Sequence, residues 1–86
     1  MIRTINGVEV DIAPGAYLTG AYLHGAYLRG ADLTGANLTG ANLTYANLTD
    51  AYLADADLTY AYRFSFDPPL SGWTLVDGRL VRESEA

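Results

Sequence analysis

Residues 16–30 read Ala-Tyr-Leu-Thr-Gly, Ala-Tyr-Leu-His-Gly, Ala-Tyr-Leu-Arg-Gly, and the same five-residue frame continues to Tyr62. Alanine opens every repeat, and leucine stands two residues later in nine successive repeats. A fixed period of this kind usually dictates the whole architecture, since each unit repeats one local conformation. The leucines of the frame are Leu18, Leu23, Leu28, Leu33, Leu38, Leu43, Leu48, Leu53 and Leu58.

Neither regular secondary structure accommodates this period. In an α-helix, residues five apart lie about 140° apart around the axis, so the leucines would point in every direction. In a straight strand, an odd spacing places every second leucine on the opposite face. The leucines can therefore share one side only if the chain turns within each repeat. We predict a coil of short extended pieces and corners, with leucine and alanine inside.

Glycine marks the corner in the first five repeats, from Gly20 to Gly40. It stands second after leucine, which is the third position of a turn that runs from leucine to the next alanine. A type II turn requires positive φ at that position, and glycine supplies it without steric cost. Because tyrosine resists positive φ, we predict that the turn type changes after Gly40 and that φ is negative at the later corner residues, which are Tyr45, Asp50, Asp55 and Tyr60.

The tandem pattern Ala-(Asp/Asn)-Leu-x-x, seen at residues 31–35 and 36–40, resembles the pentapeptide-repeat proteins. The resemblance implies an all-β fold, a short right-handed quadrilateral β-helix with four repeats per coil and residues twenty apart stacked on one another. The pattern departs from the family at Arg63, which stands where a leucine is expected. We predict that Phe64 fills that site by a one-residue slip. Tyrosine also replaces Asp or Asn before leucine at Tyr17, Tyr22, Tyr27 and Tyr52.

A hairpin is predicted at each end of the repeats. Asn6-Gly7 and Asp77-Gly78 each lie between strand-like runs, which is the strongest short-range hairpin signal. The first pairs Ile5 with Val8 and places Met1, Val10 and Ile12 on the same face as that pair. The second pairs Val76 with Arg79 and places three apolar residues on one face, namely Trp73, Leu75 and Leu80.

These elements predict one domain over residues 1–86. Residues 1–15 form an N-terminal hairpin cap, residues 16–62 the pentapeptide repeats, and residues 63–86 a C-terminal cap. Trp73 or Phe64 is expected to plug the last coil, and residues 83–86 form a short irregular tail. The caps keep the open ends of the coil from water and from stacking on other molecules.

Composition narrows the class of function. The chain of 86 residues has no cysteine and a net charge of −5, which argues against direct nucleic acid binding. No apolar run approaches a membrane span and no signal-peptide pattern is present, so the expected compartment is the cytoplasm. His24 is the only histidine and is expected to be exposed without a role. We expect no metal, no cofactor and no catalysis, since no base is placed beside a nucleophile.

Two surfaces are candidates for binding. With four repeats per coil, one side gathers Tyr22, Tyr45, Tyr60 and Tyr62, and tyrosine is enriched in protein interfaces. The leading hypothesis is a non-catalytic structural or protein-interaction module, of which a homodimer through these tyrosines is the simplest version. The partner cannot be named from the sequence.

The second surface is acidic and comprises Asp32, Asp50, Asp55 and Asp57. Some pentapeptide-repeat proteins resemble B-form DNA in shape and charge and bind DNA gyrase in its place. The resemblance therefore gives an alternative function, a DNA mimic that binds DNA gyrase or another topoisomerase through this face. Four carboxylates are sparse beside duplex DNA, which carries a charge about every 1.7 Å.

Overall fold

The computed structural model describes residues 1–85 and is all-β, apart from one turn of 3₁₀ helix at Glu83–Glu85. Two antiparallel hairpins flank the repeats. The first consists of strands β1 (Ile2–Ile5) and β2 (Val8–Asp11), and the second of β3 (Trp73–Val76) and β4 (Arg79–Arg82). Within the described part of the chain, no helix is long and apolar enough to span a bilayer.

The repeats pair with one another at an interval of twenty residues. Leu18 N donates to Asn37 O at 2.7 Å, and Asn37 N donates to Ala16 O at 2.9 Å. The same exchange recurs along the repeats, so residues twenty apart are paired through their backbones. The parallel bridges are Tyr17↔Asn37, Tyr22↔Asn42, Tyr27↔Asn47, Asp32↔Tyr52, Asn37↔Asp57 and Asn42↔Tyr62.

The leucines of the frame form the core, as predicted. Six of them are fully buried, and most of the alanines two residues before the leucines belong to the same cluster or pack against it. Burying a leucine side chain contributes about 1.5–3 kcal/mol, so this column is the main apolar stabilisation of the repeats. Leu53 is the exception, since it is only half-buried. The fully buried leucines are Leu23, Leu28, Leu33, Leu38, Leu43 and Leu58.

The corners keep one conformation throughout, so the predicted change of turn type after Gly40 is wrong. φ is 69° at Gly40, and it is 61° at Tyr45 and 59° at Tyr60, Asp50 and Asp55. The side chain at this position projects outward, because a Cβ built on any corner glycine meets no atom within 4 Å. Only the backbone cost of the left-handed region remains, about 1–2 kcal/mol per residue. A different turn would shift the next repeat and break its ladder bonds.

Where Asn or Asp precedes the leucine, its side chain closes the repeat with a local hydrogen bond. Asn37 Oδ1 accepts the N–H of Thr39 at 3.0 Å, and Asp57 Oδ1 accepts the N–H of Thr59 at 3.0 Å. This side-chain bond to the backbone two residues on favours the turn that follows. The Asp and Asn residues of the pattern therefore have a structural role in their own repeats.

The N-terminal hairpin has the predicted register, with Ile5 opposite Val8. Ile5 and Ile12 are buried against the core, whereas Met1 and Val8, on the same face of the hairpin, are exposed. The reason is that only part of the hairpin lies over the coil. On the same face, the Arg3 guanidinium reaches the coil edge and donates to the carbonyl oxygen of Tyr27 at 2.7 Å.

Arg63 keeps the repeat frame, so the predicted slip that places Phe64 in the leucine site is wrong. The Arg63 side chain is buried, whereas Phe64 is 38% exposed. A guanidinium replaces a leucine here because the backbone satisfies its donors: it donates to three carbonyl oxygens, those of Leu43 at 3.0 Å, Ala46 at 3.1 Å and Pro68 at 2.8 Å. Burial lowers the pKa of Arg63 and the Asp67 carboxylate opposes this, and the group stays charged.

The C-terminal hairpin also has the predicted register, with Val76 opposite Arg79 and Leu75 opposite Leu80. Trp73 and Leu80 are buried, so Trp73 rather than Phe64 covers the last coil. The predicted irregular tail is corrected at residues 83–85, which form the 3₁₀ turn, and Glu83 N donates to Gly72 O at 3.0 Å. The prediction for residue 86 lies outside the described residues.

Candidate protein-interaction surface

Five rings contact one another on the side of the molecule that carries Leu23 and Leu43. We call them the aromatic cluster. Tyr22 stacks on His24 with ring centroids 6.0 Å apart, and His24 meets the edge of Tyr45 at 5.5 Å. Tyr45 in turn contacts Phe64 at 5.1 Å and Phe66 at 5.2 Å. The cluster therefore consists of Tyr22, His24, Tyr45, Phe64 and Phe66.

The aromatic cluster lies at the surface. Tyr22 and Tyr45 are each more than half exposed, and Phe66 is 63% exposed. Contiguous exposed apolar surface on a small protein marks an interaction site more often than scattered single residues do. Each ring is held by its neighbours, so little side-chain entropy would be lost when a partner binds.

A hydrogen-bond relay fixes the His24 ring. The Nδ1 atom lies 2.6 Å from Thr44 Oγ1, and the Thr44 hydroxyl lies 2.6 Å from Asn42 Oδ1. Asn42 Oδ1 also accepts the N–H of Thr44, so it is an acceptor and the single hydroxyl proton of Thr44 points to it. Thr44 must then accept from His24, which places a proton on Nδ1.

The prediction that the His24 side chain is exposed is therefore wrong. His24 is half-buried, and its carbonyl oxygen accepts Asn6 Nδ2 at 2.9 Å. The N-terminal hairpin thus binds the backbone of the same repeat whose ring joins the aromatic cluster. The hydrogen bond to Thr44 and the stacked ring of Tyr22 orient the His24 ring toward Tyr45.

The structure brings together two of the four predicted tyrosines. Tyr22 and Tyr45 meet through His24, whereas Tyr62 lies on the same side but pairs with Arg79. The Arg79 guanidinium lies 4.0 Å from the Tyr62 ring centroid and donates to the Tyr62 hydroxyl. Tyr60 is exposed at the corner before Ala61, outside the aromatic cluster.

Sequence reasoning missed three members of the cluster, which are His24, Phe64 and Phe66. A signal for two of them was present, because His24, Thr44 and Phe64 follow one another at intervals of twenty residues. Their positions in the frame are equivalent, so they form one column along the repeats. Phe66 had no such signal, since the chain leaves the frame after Arg63.

The four acidic residues do not share one environment. The hydroxyl and then the N–H of Thr34 lower the pKa of Asp32, and Thr59 does the same for the pKa of Asp57. Asp57 also lies 3.8 Å from an Arg82 guanidinium nitrogen, so its charge is partly offset. Asp50 and Asp55 occupy exposed corners at positive φ.

Nine successive leucines at an interval of five residues, with backbone pairing between residues twenty apart, define a repeat protein. The family model for pentapeptide repeats matches residues 16–53 and 36–65, with 8 copies. These matches cover more than half of the chain, which therefore belongs to the pentapeptide-repeat family. No curated protein matches the chain, and no solved structure matches it.

Proposed function

We propose that this protein is a non-catalytic protein-interaction module whose contact surface is the aromatic cluster. The repeats are proposed to form one short right-handed quadrilateral β-helix closed by the two hairpins. The interval of twenty residues between paired positions and the family membership support this architecture. The observation that carries the functional proposal is the contact of exposed rings from Tyr22 through Tyr45 to Phe66.

Aromatic rings in contact with one another suit the centre of an interface. Tyrosine and tryptophan are enriched among the residues that contribute most of the binding energy, because they bury large areas with few rotatable bonds. Protein interfaces of standard size bury about 800 Å² per partner. With dimensions of 33 × 22 × 21 Å, one side of this molecule offers a face of about that size.

The relay at His24 supports the non-catalytic part of the proposal. A threonine acts as a nucleophile when a base accepts its hydroxyl proton. The Thr44 hydroxyl donates to Asn42, and His24 donates to Thr44, so the imidazole atom beside the hydroxyl carries a proton already. Thr44 is also buried, at 7% exposure, so little of the residue is open to a substrate.

The partner proposed is a second copy of the chain. Sedimentation equilibrium over a range of protein concentrations tests this directly. We expect the native chain to dimerise and the double variant Tyr22→Ser, Phe66→Ser to remain a monomer. The matched control is Tyr17→Ser, Tyr27→Ser, which removes two exposed tyrosines from other sides and leaves the dimer intact.

Two results would overturn this proposal. The first is a native chain that stays monomeric up to millimolar concentration. The second is equal weakening of the dimer by both double variants, because the aromatic cluster would then have no special part in association. Urea denaturation of each variant verifies that the fold persists, since all four rings lie outside the core.

A further inference from the structure

Strand β4 and Gly78, the turn residue before it, bind the edge of the last coil through three backbone hydrogen bonds. Tyr60 N donates to Leu80 O at 2.8 Å, and Leu80 N donates to Ala61 O at 2.9 Å. Arg63 N donates to Gly78 O at 3.2 Å. The chain thus adds an antiparallel strand to residues 60–63 of its own repeats. The repeats contribute three groups, which are the N–H of Tyr60 at the corner, the carbonyl oxygen of Ala61 and the N–H of Arg63 at the leucine position.

The same three groups stand unpaired ten residues earlier. Asp50, Ala51 and Leu53 occupy the repeat positions of Tyr60, Ala61 and Arg63. Within residues 1–85, Asp50 N and Leu53 N donate no hydrogen bond and Ala51 O accepts none. An unpaired edge of this kind is a template for strand addition. The edge formed by residues 50–53 therefore has the hydrogen-bonding groups that β4 uses on residues 60–63.

The chain does not cover this edge itself. Residues 68–72 lie twenty positions after residues 48–52, where the next coil would pass. Pro68 and Pro69 have no N–H to donate, and the Pro68 carbonyl accepts the Arg63 guanidinium instead. The segment passes beside the edge and leaves a cleft of about 350 Å³, which is lined by Leu48, Ala51, Leu53, Pro69 and Leu70 among others.

The core is incomplete at this cleft. Leu53 is half-buried, whereas Leu33, twenty residues earlier, is fully buried. On the equivalent edge, Leu80 of β4 is buried against the core and closes the apolar column. An aliphatic side chain presented by an added strand would likewise cover Leu53 and remove apolar surface from water.

The outward side chains favour an arginine. On the β4 edge, Arg79 lies over the ring of Tyr62 at 4.0 Å. Tyr52 holds the repeat position of Tyr62, and its ring is 64% exposed. Asp50 and Asp55 occupy the corners on either side of Tyr52, and both are exposed. A guanidinium above Tyr52 would gain a cation–π contact and two nearby carboxylates.

We propose that residues 50–53 bind an extended segment of a partner protein by antiparallel strand addition, and that this segment carries an arginine followed by an aliphatic residue. The segment would repeat on this edge what Arg79 and Leu80 do on residues 60–63. This site goes beyond the aromatic cluster, since it lies on the repeats of the opposite side of the coil. Loss of one surface leaves the other unchanged.

A synthetic peptide with the sequence of residues 76–82, Val-Asp-Gly-Arg-Leu-Val-Arg, is the probe. Added to ¹⁵N-labelled protein, it is expected to shift the amide resonances of Asp50 and Leu53 and to slow their hydrogen exchange. A peptide N-methylated at its leucine cannot donate to Ala51 O, and we expect it to bind about tenfold more weakly. N-methylation at the second valine is the matched control, because in β4 that residue faces β3.

A protein variant tests the arginine contact independently. We expect Tyr52→Ala to weaken peptide binding about three- to fivefold, since it removes the ring beneath the guanidinium. Tyr17→Ala removes another exposed tyrosine from the same repeat position at the other end of the coil, and it is expected to leave the affinity unchanged.

Four outcomes would overturn the proposal. The first is no change at the amides of Asp50 and Leu53 under peptide concentrations in the millimolar range. The second is equal binding of the two N-methylated peptides. The third is a shift confined to residues 60–63, which would mean that the peptide replaces β4. The fourth is protection of Asp50 and Leu53 in a dimer without peptide, which would make a second copy the occupant.

Discussion

A guanidinium nitrogen of Arg63 lies 3.0 Å from the carbonyl oxygen of Leu43, the residue twenty positions earlier in the same column of the coil. Leu43 fills its place in the core with an aliphatic side chain, and Arg63 fills the next place with a cation. The cation ends the column by binding the carbonyl oxygens of the coil beneath and of the cap. One side chain therefore joins the repeats to residues 67–68.

Arg63→Ala is expected to destabilise the protein by about 3–5 kcal/mol, the range found when one partner of a buried ionic network is removed. The Asp67 carboxylate, 4.0 Å from the Arg63 Nε atom, would lose its cation, and three carbonyl oxygens would each lose the hydrogen bond from the guanidinium. Urea denaturation monitored by Trp73 fluorescence measures the free energy of unfolding. A loss below about 1 kcal/mol would show that solvent replaces the guanidinium.

Arg63→Leu is the matched variant, because it restores the residue that the frame expects. Its loss should be smaller than that of Arg63→Ala, since leucine fills the apolar part of the site. Asp67 keeps the N–H of Phe64 at 2.7 Å, so its carboxylate retains a donor. Equal losses in both variants would assign the whole effect to the missing hydrogen bonds.

The sequence predicts the conformation of the repeats better than that of the two ends, because residues within each repeat decide it. Leucine every five residues dictates a turning chain with an apolar inside, whichever residues stand at the outer positions. The place of Arg63 could not be predicted, since its partners come from the coil beneath and from Pro68. The Asp77-Gly78 signal gives the register of β3 with β4, but not the docking of Leu80 on Ala61.

The corner prediction failed for a related reason. Tyrosine avoids positive φ when only local energy is compared. At Tyr60 the N–H donates to Leu80 O, and the Ala61 N–H donates to Leu58 O at 3.0 Å, so the corner is bound on both sides. The aromatic cluster was predicted only in part, because columns of residues twenty apart show which rings share a side but not which way each ring points.

Tyr60→Gly is expected to stabilise the protein by about 0.5–1 kcal/mol. Glycine removes the backbone cost of the left-handed region, about 1–2 kcal/mol, and the larger entropy of the unfolded glycine chain offsets part of this gain. Thermal unfolding gives the change. Gly20→Ala is the reverse experiment. It should destabilise the protein through backbone strain alone, because φ is 68° at Gly20 and an added Cβ would clash with no neighbour. A Tyr60→Gly variant less stable than the native chain would mean that the ring contributes packing.

The free energy of unfolding is expected to fall in acid because of Asp32 and Asp57. Hydrogen bonds from Thr34 and Thr59 lower the pKa of these carboxyls below the ordinary value of 3.8. A group whose pKa is lower in the folded state stabilises the fold above its unfolded pKa, and this stabilisation is lost as the pH falls through the folded pKa. The loss therefore begins near pH 4 and grows below it.

Asp57→Asn isolates one of these groups. Asn37 holds the same column one coil earlier and accepts the N–H of Thr39 at 3.0 Å, so asparagine suits the turn. The variant should lose less stability than the native chain between pH 5 and pH 3. Chemical denaturation at both pH values measures this difference. If the variant and the native chain lose the same stability between pH 5 and pH 3, Asp57 does not take part in the acid response.

Thr44→Val is expected to destabilise the protein by about 1–2 kcal/mol, because it leaves His24 Nδ1 without its acceptor and takes one donor from Asn42. Valine keeps the branched shape, so the change in packing is small. Thr39→Val is the matched control: Thr39 stands at the same repeat position, and its N–H, like that of Thr44, donates to the Asn two residues before it. The Thr39 hydroxyl makes no side-chain hydrogen bond in residues 1–85, so its loss should cost little.

Nuclear magnetic resonance of the aromatic protons supplies a second readout, since a released His24 ring would change the ring-current shifts of Tyr22 and Tyr45. If the two valine variants lose equal stability and these shifts stay as they are, the aromatic cluster is held by ring contacts alone.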